Sequence, residues 1–136
     1  MKTLWDNRGS SQLVAAVAAM FAILVLLFIG IAGVRLLNEY ATLDSFANQY
    51  VRTAAQEGCT SNARIAAKLE ELKESTGLHP VAAFSATYVS GSTTKVQYGD
   101  TITLNIKLDT ELTAFGMSIP ATLKLTKTAT SEQYWK

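Results

Sequence analysis

Apolar residues follow one another without interruption between Gln12 and Arg35. The run from Leu13 to Val34 contains no charged and no strongly polar side chain. As a helix with about 1.5 Å of rise per residue it would be roughly 33 Å long, enough to cross the hydrocarbon layer of a bilayer once. A soluble helix of this length needs a polar face, and this run has none. The pattern therefore predicts a single membrane-spanning helix near the start of the chain.

A helical pattern continues beyond the apolar run. After Arg35, apolar residues recur at intervals of four and three positions, which places them on one side of a helix. These residues, which we call the stalk stripe, are Leu36, Tyr40, Leu43, Ala47, Tyr50 and Ala54. No proline interrupts the segment, and Gly58 suits the left-handed position that ends many helices. The sequence predicts one helix from about Leu13 to Glu57, roughly 68 Å long, with half in lipid and half projecting as a stalk.

The stalk stripe has two interpretations. It could cover the chain's own small domain, or it could pack against the helices of other copies and serve as an assembly interface. A helix of about 45 residues is longer than a small domain can cover, so the sequence favours both in part.

A second, shorter helix is expected after Thr60 or Ser61, either of which can cap it. Its apolar positions lie on one face and its charged positions on the other, and Thr76-Gly77 closes it.

The hydrophobic period then changes to two, which is typical of strands. The alternation predicts strands at Val81–Val89 and Thr101–Leu108, a short one at Lys95–Tyr98, and a last one in which Ala121, Leu123 and Leu125 point inward. The expected class is α+β, with a C-terminal antiparallel meander of three to four strands covered on one face by helix. The expected regions are a head at 1–9, the transmembrane and stalk helix at 10–58, and a small extracytoplasmic α+β domain at 59–136.

Two apolar features remain outside these elements. The hairpin between the last two strands holds Leu112, Phe115 and Met117, and the chain ends in Tyr134-Trp135-Lys136. Exposed apolar residues usually have a partner, so Leu112, Phe115, Met117 and Trp135 are candidate partner contacts. The alternatives are that both features tuck against the domain's own helices or, for Trp135 and Lys136, that they meet a membrane surface.

Charge and reactive residues exclude several functions. The formal net charge is +1 and the basic residues are scattered, which argues against a nucleic-acid surface. One Cys and one His cannot form a metal cluster by themselves, and one Cys allows a disulfide only to another chain. Cys59 and His79 would form a thiol–imidazole pair only if the fold joined them, and no third group stands out to orient the imidazole. We therefore expect no enzyme and no cofactor.

The charges around the apolar run give its orientation. Two basic residues, Lys2 and Arg8, and one acidic residue, Asp6, precede the run, and Arg35 follows it closely. This distribution of charge favours a cytoplasmic N terminus, with the residues after the run facing outward. The head itself has three interpretations: a plain signal anchor, a secretory signal cut after Ala32, or a pilin-type leader.

The head and the chain's end resemble a known family. Asp6-Asn7-Arg8-Gly9-Ser10-Ser11-Gln12 leads directly into the apolar helix, the meander contains Gly99-Asp100-Thr101-Ile102-Thr103-Leu104, and the chain closes with Ser131-Glu132-Gln133-Tyr134-Trp135-Lys136. The chain resembles TadE-like proteins, the small pilin-type subunits of tight-adherence systems, and especially the uncharacterised pilin-like proteins found beside conjugation genes.

The resemblance implies that a prepilin-type peptidase cuts after Gly9, so that Ser10 becomes the N terminus. It further implies a non-enzymatic, single-span subunit of the cytoplasmic membrane that associates with itself or with other pilin-like chains. Pilins usually carry Glu at the fifth position after the cut, and Val14 stands there in this chain. This departure favours a minor or scaffold subunit. The alternative function is a membrane-anchored adaptor that does not polymerise.

Overall fold

The computed structural model describes residues 7–114 and 116–136, which form two helices and three strands. Helix α1 is Asn7–Glu57 and helix α2 is Ala63–Thr76. Strands β1, β2 and β3 are Val81–Ala86, Thr101–Ala114 and Met117–Thr130. The predicted α+β class, with a long helix, a short helix and an antiparallel sheet in that order, is confirmed.

Helix α1 is unbroken over 51 residues. It ends where the sequence predicts, because Gly58 takes the left-handed conformation with φ of 59°. Among the residues described, one helix is long and apolar enough to cross a membrane, judged by length and composition, and it is α1. The large side chains of its apolar run are exposed, so this half of the helix projects from the rest of the chain.

The N-cap of helix α2 lies one residue after Ser61 and two residues after Thr60, the two predicted caps. Asn62 is the N-cap, and its side-chain oxygen accepts a hydrogen bond of 2.7 Å from the Ile65 N–H. Thr60 is engaged elsewhere, since its N–H donates to the Thr94 carbonyl at 2.9 Å. Gly77 ends the helix in the left-handed conformation and donates its N–H to the Lys73 carbonyl.

The sheet is a meander in the order β1-β2-β3, antiparallel throughout. Strand β1 is shorter than predicted and ends at Ala86, whereas β2 and β3 extend well beyond the predicted strands. Their pairing runs from Thr101 opposite Thr130 to Ala114 opposite Met117. The two long strands therefore form a hairpin that extends beyond the edge of β1.

The predicted strand at Lys95–Tyr98 is wrong. This segment makes one isolated bridge, between Lys95 and Cys59. The Val96 N–H donates to the Gly58 carbonyl at 2.8 Å, so the segment pairs with the end of α1 and not with the sheet. Val96 is fully buried, which explains the alternation that resembled a strand.

The core lies between the C-terminal half of α1 and the inner face of the sheet. Leu43, Phe46 and Ala47 from the helix are fully buried against the cluster that contains Ile102 and Leu104 from β2. Helix α2 contributes Ile65 and Leu72 to the same cluster. The head domain is thus built around the upper half of α1, and the apolar half of α1 has no comparable cover.

Candidate functional site

The stalk stripe divides into two parts in the structure. Leu43, Ala47, Tyr50 and Ala54 are buried in the chain's own core, and the Tyr50 ring packs on Phe84 at 4.9 Å between centroids. Their own sheet covers these four side chains, which leaves them no surface for another copy. The structure thus shows the intrachain interpretation for this part of the stripe.

The lower part of the stripe is more open. Leu36 is half-buried and Tyr40 is 41% exposed. Leu37, which lies beside the stripe, is 69% exposed. The exposed part of the stalk stripe therefore lies at its lower end, next to the apolar run.

The tip of the β2–β3 hairpin reaches the apolar run. Leu112 is half-buried, Met117 is 64% exposed and Ile119 is 55% exposed, whereas Phe115 lies outside the described residues. A groove of about 320 Å³ separates the tip from the helix. Its lining is entirely apolar apart from backbone and consists of Phe28, Ile29, Ala32, Gly33, Leu36, Leu112 and Ile119.

Polar contacts hold the hairpin on the helix immediately above this groove. Thr110 donates a hydrogen bond of 2.7 Å from Oγ1 to Glu39 Oε2. Lys127 Nζ forms an ion pair of 2.7 Å with Asp44 Oδ1, five residues further along α1. Arg35 Nε donates to the other oxygen of Glu39 at 3.2 Å. These contacts fix which level of the helix the hairpin tip reaches.

Trp135, a candidate partner contact in the C-terminal tail, is bound to its own chain. Its indole Nε1 donates to the carbonyls of Gly58 at 3.0 Å and Val96 at 3.1 Å. The Lys95 ammonium lies 4.4 Å from the ring centroid. The side-chain amide of Gln97 holds the Trp135 backbone, since Gln97 Nε2 donates to the Trp135 carbonyl at 3.2 Å and Gln97 Oε1 accepts from the Trp135 N–H at 2.9 Å. Trp135 therefore tucks against the domain, the alternative that the sequence left open.

The same tail caps the end of α1, a role that the sequence did not suggest. The last carbonyls of a helix lack partners within it. Here the Glu132 N–H donates to the Ala55 carbonyl at 2.9 Å and Gln133 Nε2 donates to the Gln56 carbonyl at 2.9 Å. The tail carries no periodic signal, so its pairing with a helix far away in sequence was not visible in the pattern.

The structure does not bring Cys59 and His79 together. His79 lines a cavity with Glu39 and Thr110, whereas Cys59 follows the C-terminal end of α1, about 30 Å further along the helix axis. Cys59 is buried, and this burial raises the pKa of its thiol, which disfavours the nucleophilic thiolate. No group of three or more metal-ligating side chains occurs within 7–114 and 116–136.

The predicted processing residues lie at the start of α1. Gly9 and Ser10 are both within the helix, and both are exposed. The residues before Asn7 lie outside the described part of the chain.

Comparison with known proteins gives one match. A family model described as a domain of unknown function, DUF4320, matches residues 19–136. The chain belongs to the DUF4320 family. No curated protein and no solved structure matches it.

The residues matched by the DUF4320 model include those that make the contacts described above. The match includes most of the apolar run, the hairpin, the head domain and the tail that caps α1. The DUF4320 match thus includes both the α+β domain and most of helix α1. Gly9 and Ser10 precede the matched range.

Proposed function

We propose that this DUF4320 chain is a non-enzymatic, single-span, pilin-like structural subunit. It acts as a minor or scaffold pilin of a surface appendage or of a secretion or conjugation apparatus. The observation that carries the proposal is the division of α1. Its C-terminal half packs against the small α+β domain, and the large apolar side chains of its N-terminal half are exposed. Exposed apolar surface of this extent requires lipid or other apolar helices around it.

The proposal includes an orientation. The N terminus lies in the cytoplasm, α1 crosses the cytoplasmic membrane once, and the head domain is extracytoplasmic or part of a surface filament. The basic residues Lys2 and Arg8, which precede the apolar run, support this arrangement. The apolar run then serves first as an anchor and afterwards as packing surface against other subunits.

Burial of the upper stalk stripe restricts where subunits can meet. Leu43, Ala47, Tyr50 and Ala54 are used within the chain, so self-association proceeds through the apolar run, Leu36, Leu37 and Tyr40. The small residues of the run, such as Ala18, Ala22 and Gly30, permit close helix approach.

Cysteine cross-linking in the native membrane tests this assembly. In a Cys59→Ser background, Leu24→Cys places a thiol on the exposed apolar rod, and Leu43→Cys places one in the core as a matched control. We expect ladders of self-adducts from Leu24→Cys and none from Leu43→Cys. Absence of self-adducts from Leu24→Cys and from Leu37→Cys would contradict assembly.

Processing is tested by mass spectrometry of the mature chain. The proposal expects a prepilin-type peptidase to cut after Gly9, which gives a chain that begins at Ser10. A chain that begins at Gly33 would have lost the anchor and would overturn the proposal. An uncut chain would favour a plain anchored protein.

The alternative function is a membrane-anchored adaptor that holds one partner and does not polymerise. The burial of most of the stalk stripe within the chain favours it, because less of the helix is available for packing with copies. In the cross-linking experiment, a single adduct with a foreign chain indicates the adaptor, whereas a ladder indicates the subunit.

A further inference from the structure

The groove between the hairpin tip and α1 lies at the depth of the apolar run. Phe28 and Ile29 line it, and they precede Val34, the end of the run, by five to six positions. With about 1.5 Å of rise per residue, the lower end of the groove is about 9 Å inside the apolar segment. If this segment spans the membrane, as proposed above, the tip of the hairpin extends below the hydrocarbon boundary.

The hairpin changes from polar to mostly apolar residues at the level where α1 does. Thr110 and Asp109 are polar and lie at the height of Glu39, which is paired with Arg35 just beyond the apolar run. Beyond Glu111, the sequence carries no charge until Lys124. The boundary between polar and apolar surface is therefore shared by the helix and the hairpin.

The tip is amphipathic. Leu112 pairs with Ile119, and Met117 lies two positions before Ile119 on β3, so these three side chains lie on the face of the hairpin that continues the core face of the sheet toward α1. The opposite face carries polar side chains, and Ser118 Oγ donates to Glu111 Oε2 at 2.7 Å. The apolar face therefore meets the groove and α1, and the polar pair on the opposite face limits the tip to the interfacial layer of the bilayer.

The backbone of the tip is compatible with this environment. Pairing between β2 and β3 continues to Ala114 and Met117, which satisfies the backbone groups between the strands. Pro120 lies on the edge strand β3 and has no N–H, which removes one donor that would face lipid unpaired. Beyond Lys107, β2 has no partner on its β1 side, so unpaired groups remain on the outer edges of both strands and restrict the tip to the upper, hydrated part of the leaflet.

We propose that the β2–β3 hairpin tip enters the outer leaflet beside the transmembrane helix and that a phospholipid acyl chain fills the groove between them. The groove is open, since a Cβ atom built on Gly33 meets no group of the hairpin within 4 Å. Its volume of about 320 Å³ and its apolar lining suit part of one acyl chain. The occupant follows from position, because both walls lie where the bilayer surrounds them. This inference rests on the proposed membrane anchoring of α1.

Depth-dependent fluorescence quenching tests the insertion. The full chain is placed in phosphatidylcholine vesicles whose acyl chains carry bromine, and single tryptophans are added at three sites: Ile119→Trp at the tip, Leu24→Trp in the apolar run and Thr126→Trp on the outer face of the sheet. The unsubstituted chain gives the background from its own tryptophans. We expect bromine on the upper acyl positions to quench Ile119→Trp and deeper bromine to quench Leu24→Trp, without effect on Thr126→Trp.

The three tryptophan variants distinguish a failure of the hairpin insertion from a failure of the membrane anchor. Quenching at Leu24→Trp without quenching at Ile119→Trp would overturn the insertion and leave the anchor intact. Quenching at neither site would overturn the anchor, and the insertion with it. Circular dichroism of Ile119→Trp verifies the fold, which we expect to tolerate the change because Ile119 is largely exposed.

A photoreactive acyl chain identifies the occupant of the groove. Phosphatidylcholine with a diazirine on one acyl chain is expected to label the peptide that contains Leu112 and Ile119. Gly33→Leu fills the groove and should lower this labelling, whereas Gly30→Leu changes a helical glycine outside the groove and should not. Hairpin peptides that cross-link to another copy, and not to lipid, would show that a second chain fills the groove and would overturn the proposal.

Discussion

Thr110 and Glu39 are joined by a hydrogen bond of 2.7 Å between side chains that lie 71 positions apart. Because Glu39 also binds Arg35, one carboxylate connects the first turns beyond the apolar run to the long hairpin. The contact lies below the main core, whose nearest fully buried helix residue is Leu43. It determines how closely the far part of the hairpin follows the helix.

Thr110→Val should loosen this attachment. The substitution keeps the side-chain shape but removes the donor, and a hydrogen bond to a charged group contributes about 1.5–3 kcal/mol, less where the pair is partly exposed. We expect a loss of about 1 kcal/mol in the free energy of unfolding, measured by urea denaturation of the full chain in detergent. Thr126→Val is the control, since Thr126 donates to Asn105 on the exposed outer face. Equal losses from the two variants would refute a special role for the Thr110–Glu39 contact.

Gly58→Ala should be the most damaging of the glycine substitutions at helix ends. Its φ of +59° is strained for other residues, and an added Cβ would lie 2.3 Å from the Gln133 Cβ. Left-handed strain and overpacking together cost roughly 2–5 kcal/mol. Gly77→Ala has a similar φ of +67° but no neighbour within 4 Å, so it should cost only about 1–2 kcal/mol. Urea denaturation followed by circular dichroism compares them, and a cost at Gly58 no larger than at Gly77 would show that the tail does not pack as described.

Trp135→Phe should release the tail from the end of α1. Phenylalanine keeps an aromatic ring but cannot donate to the Gly58 and Val96 carbonyls. Each carbonyl keeps a second donor, the Val96 N–H for Gly58 and Ser131 Oγ for Val96, so the loss is that of one shared donor, about 1 kcal/mol. Amide hydrogen exchange should report faster exchange around Gly58 and Val96. The neighbouring Tyr134 is 68% exposed, and Tyr134→Phe should leave exchange and stability unchanged.

Cys59 should react slowly in the folded chain. Burial raises the pKa of its thiol, so the folded state favours the neutral thiol over a wider pH range than the unfolded state. Below the thiol pKa of the unfolded chain both states are protonated, and Cys59 does not make the free energy of unfolding depend on pH. As the pH rises from the unfolded pKa to the folded pKa, only the unfolded chain loses its proton, so the free energy of unfolding falls. Iodoacetamide labelling at increasing pH should therefore require a higher pH for the native chain than for the chain in urea. Rapid labelling of the native chain near neutral pH would contradict the burial of this thiol.

The position of the helix caps shows how local signals mislead when several residues qualify. Thr60, Ser61 and Asn62 are all good N-caps, and propensity does not rank them. In the structure Asn62 caps α2, and the Thr60 N–H donates to the Thr94 carbonyl in a contact between distant parts of the chain. The strand predicted at Lys95–Tyr98 failed for a related reason: its alternation reflects one buried residue, Val96, that packs beside the end of α1.

The candidate contact residues show the same limit at larger scale. Periodicity placed Leu43 and Ala47 on one face of a helix, but period alone does not say whether the chain's own sheet or another copy covers that face. For Trp135, exposure and burial were equally open until the acceptors at Gly58 and Val96 were known.

By itself the sequence determined that a long apolar helix continues without a break into a stalk, that Gly58 ends it, and that a short helix and an antiparallel meander follow. These features depend on neighbours within a few positions, where hydrophobic period and the conformational freedom of glycine suffice. Only the tertiary structure decided that the sheet covers the upper stalk, that the tail caps α1, and that the hairpin reaches down beside the apolar run. These features depend on side chains such as Thr110 and Glu39 that meet across the fold, and local patterning carries no information about which distant surfaces come into contact.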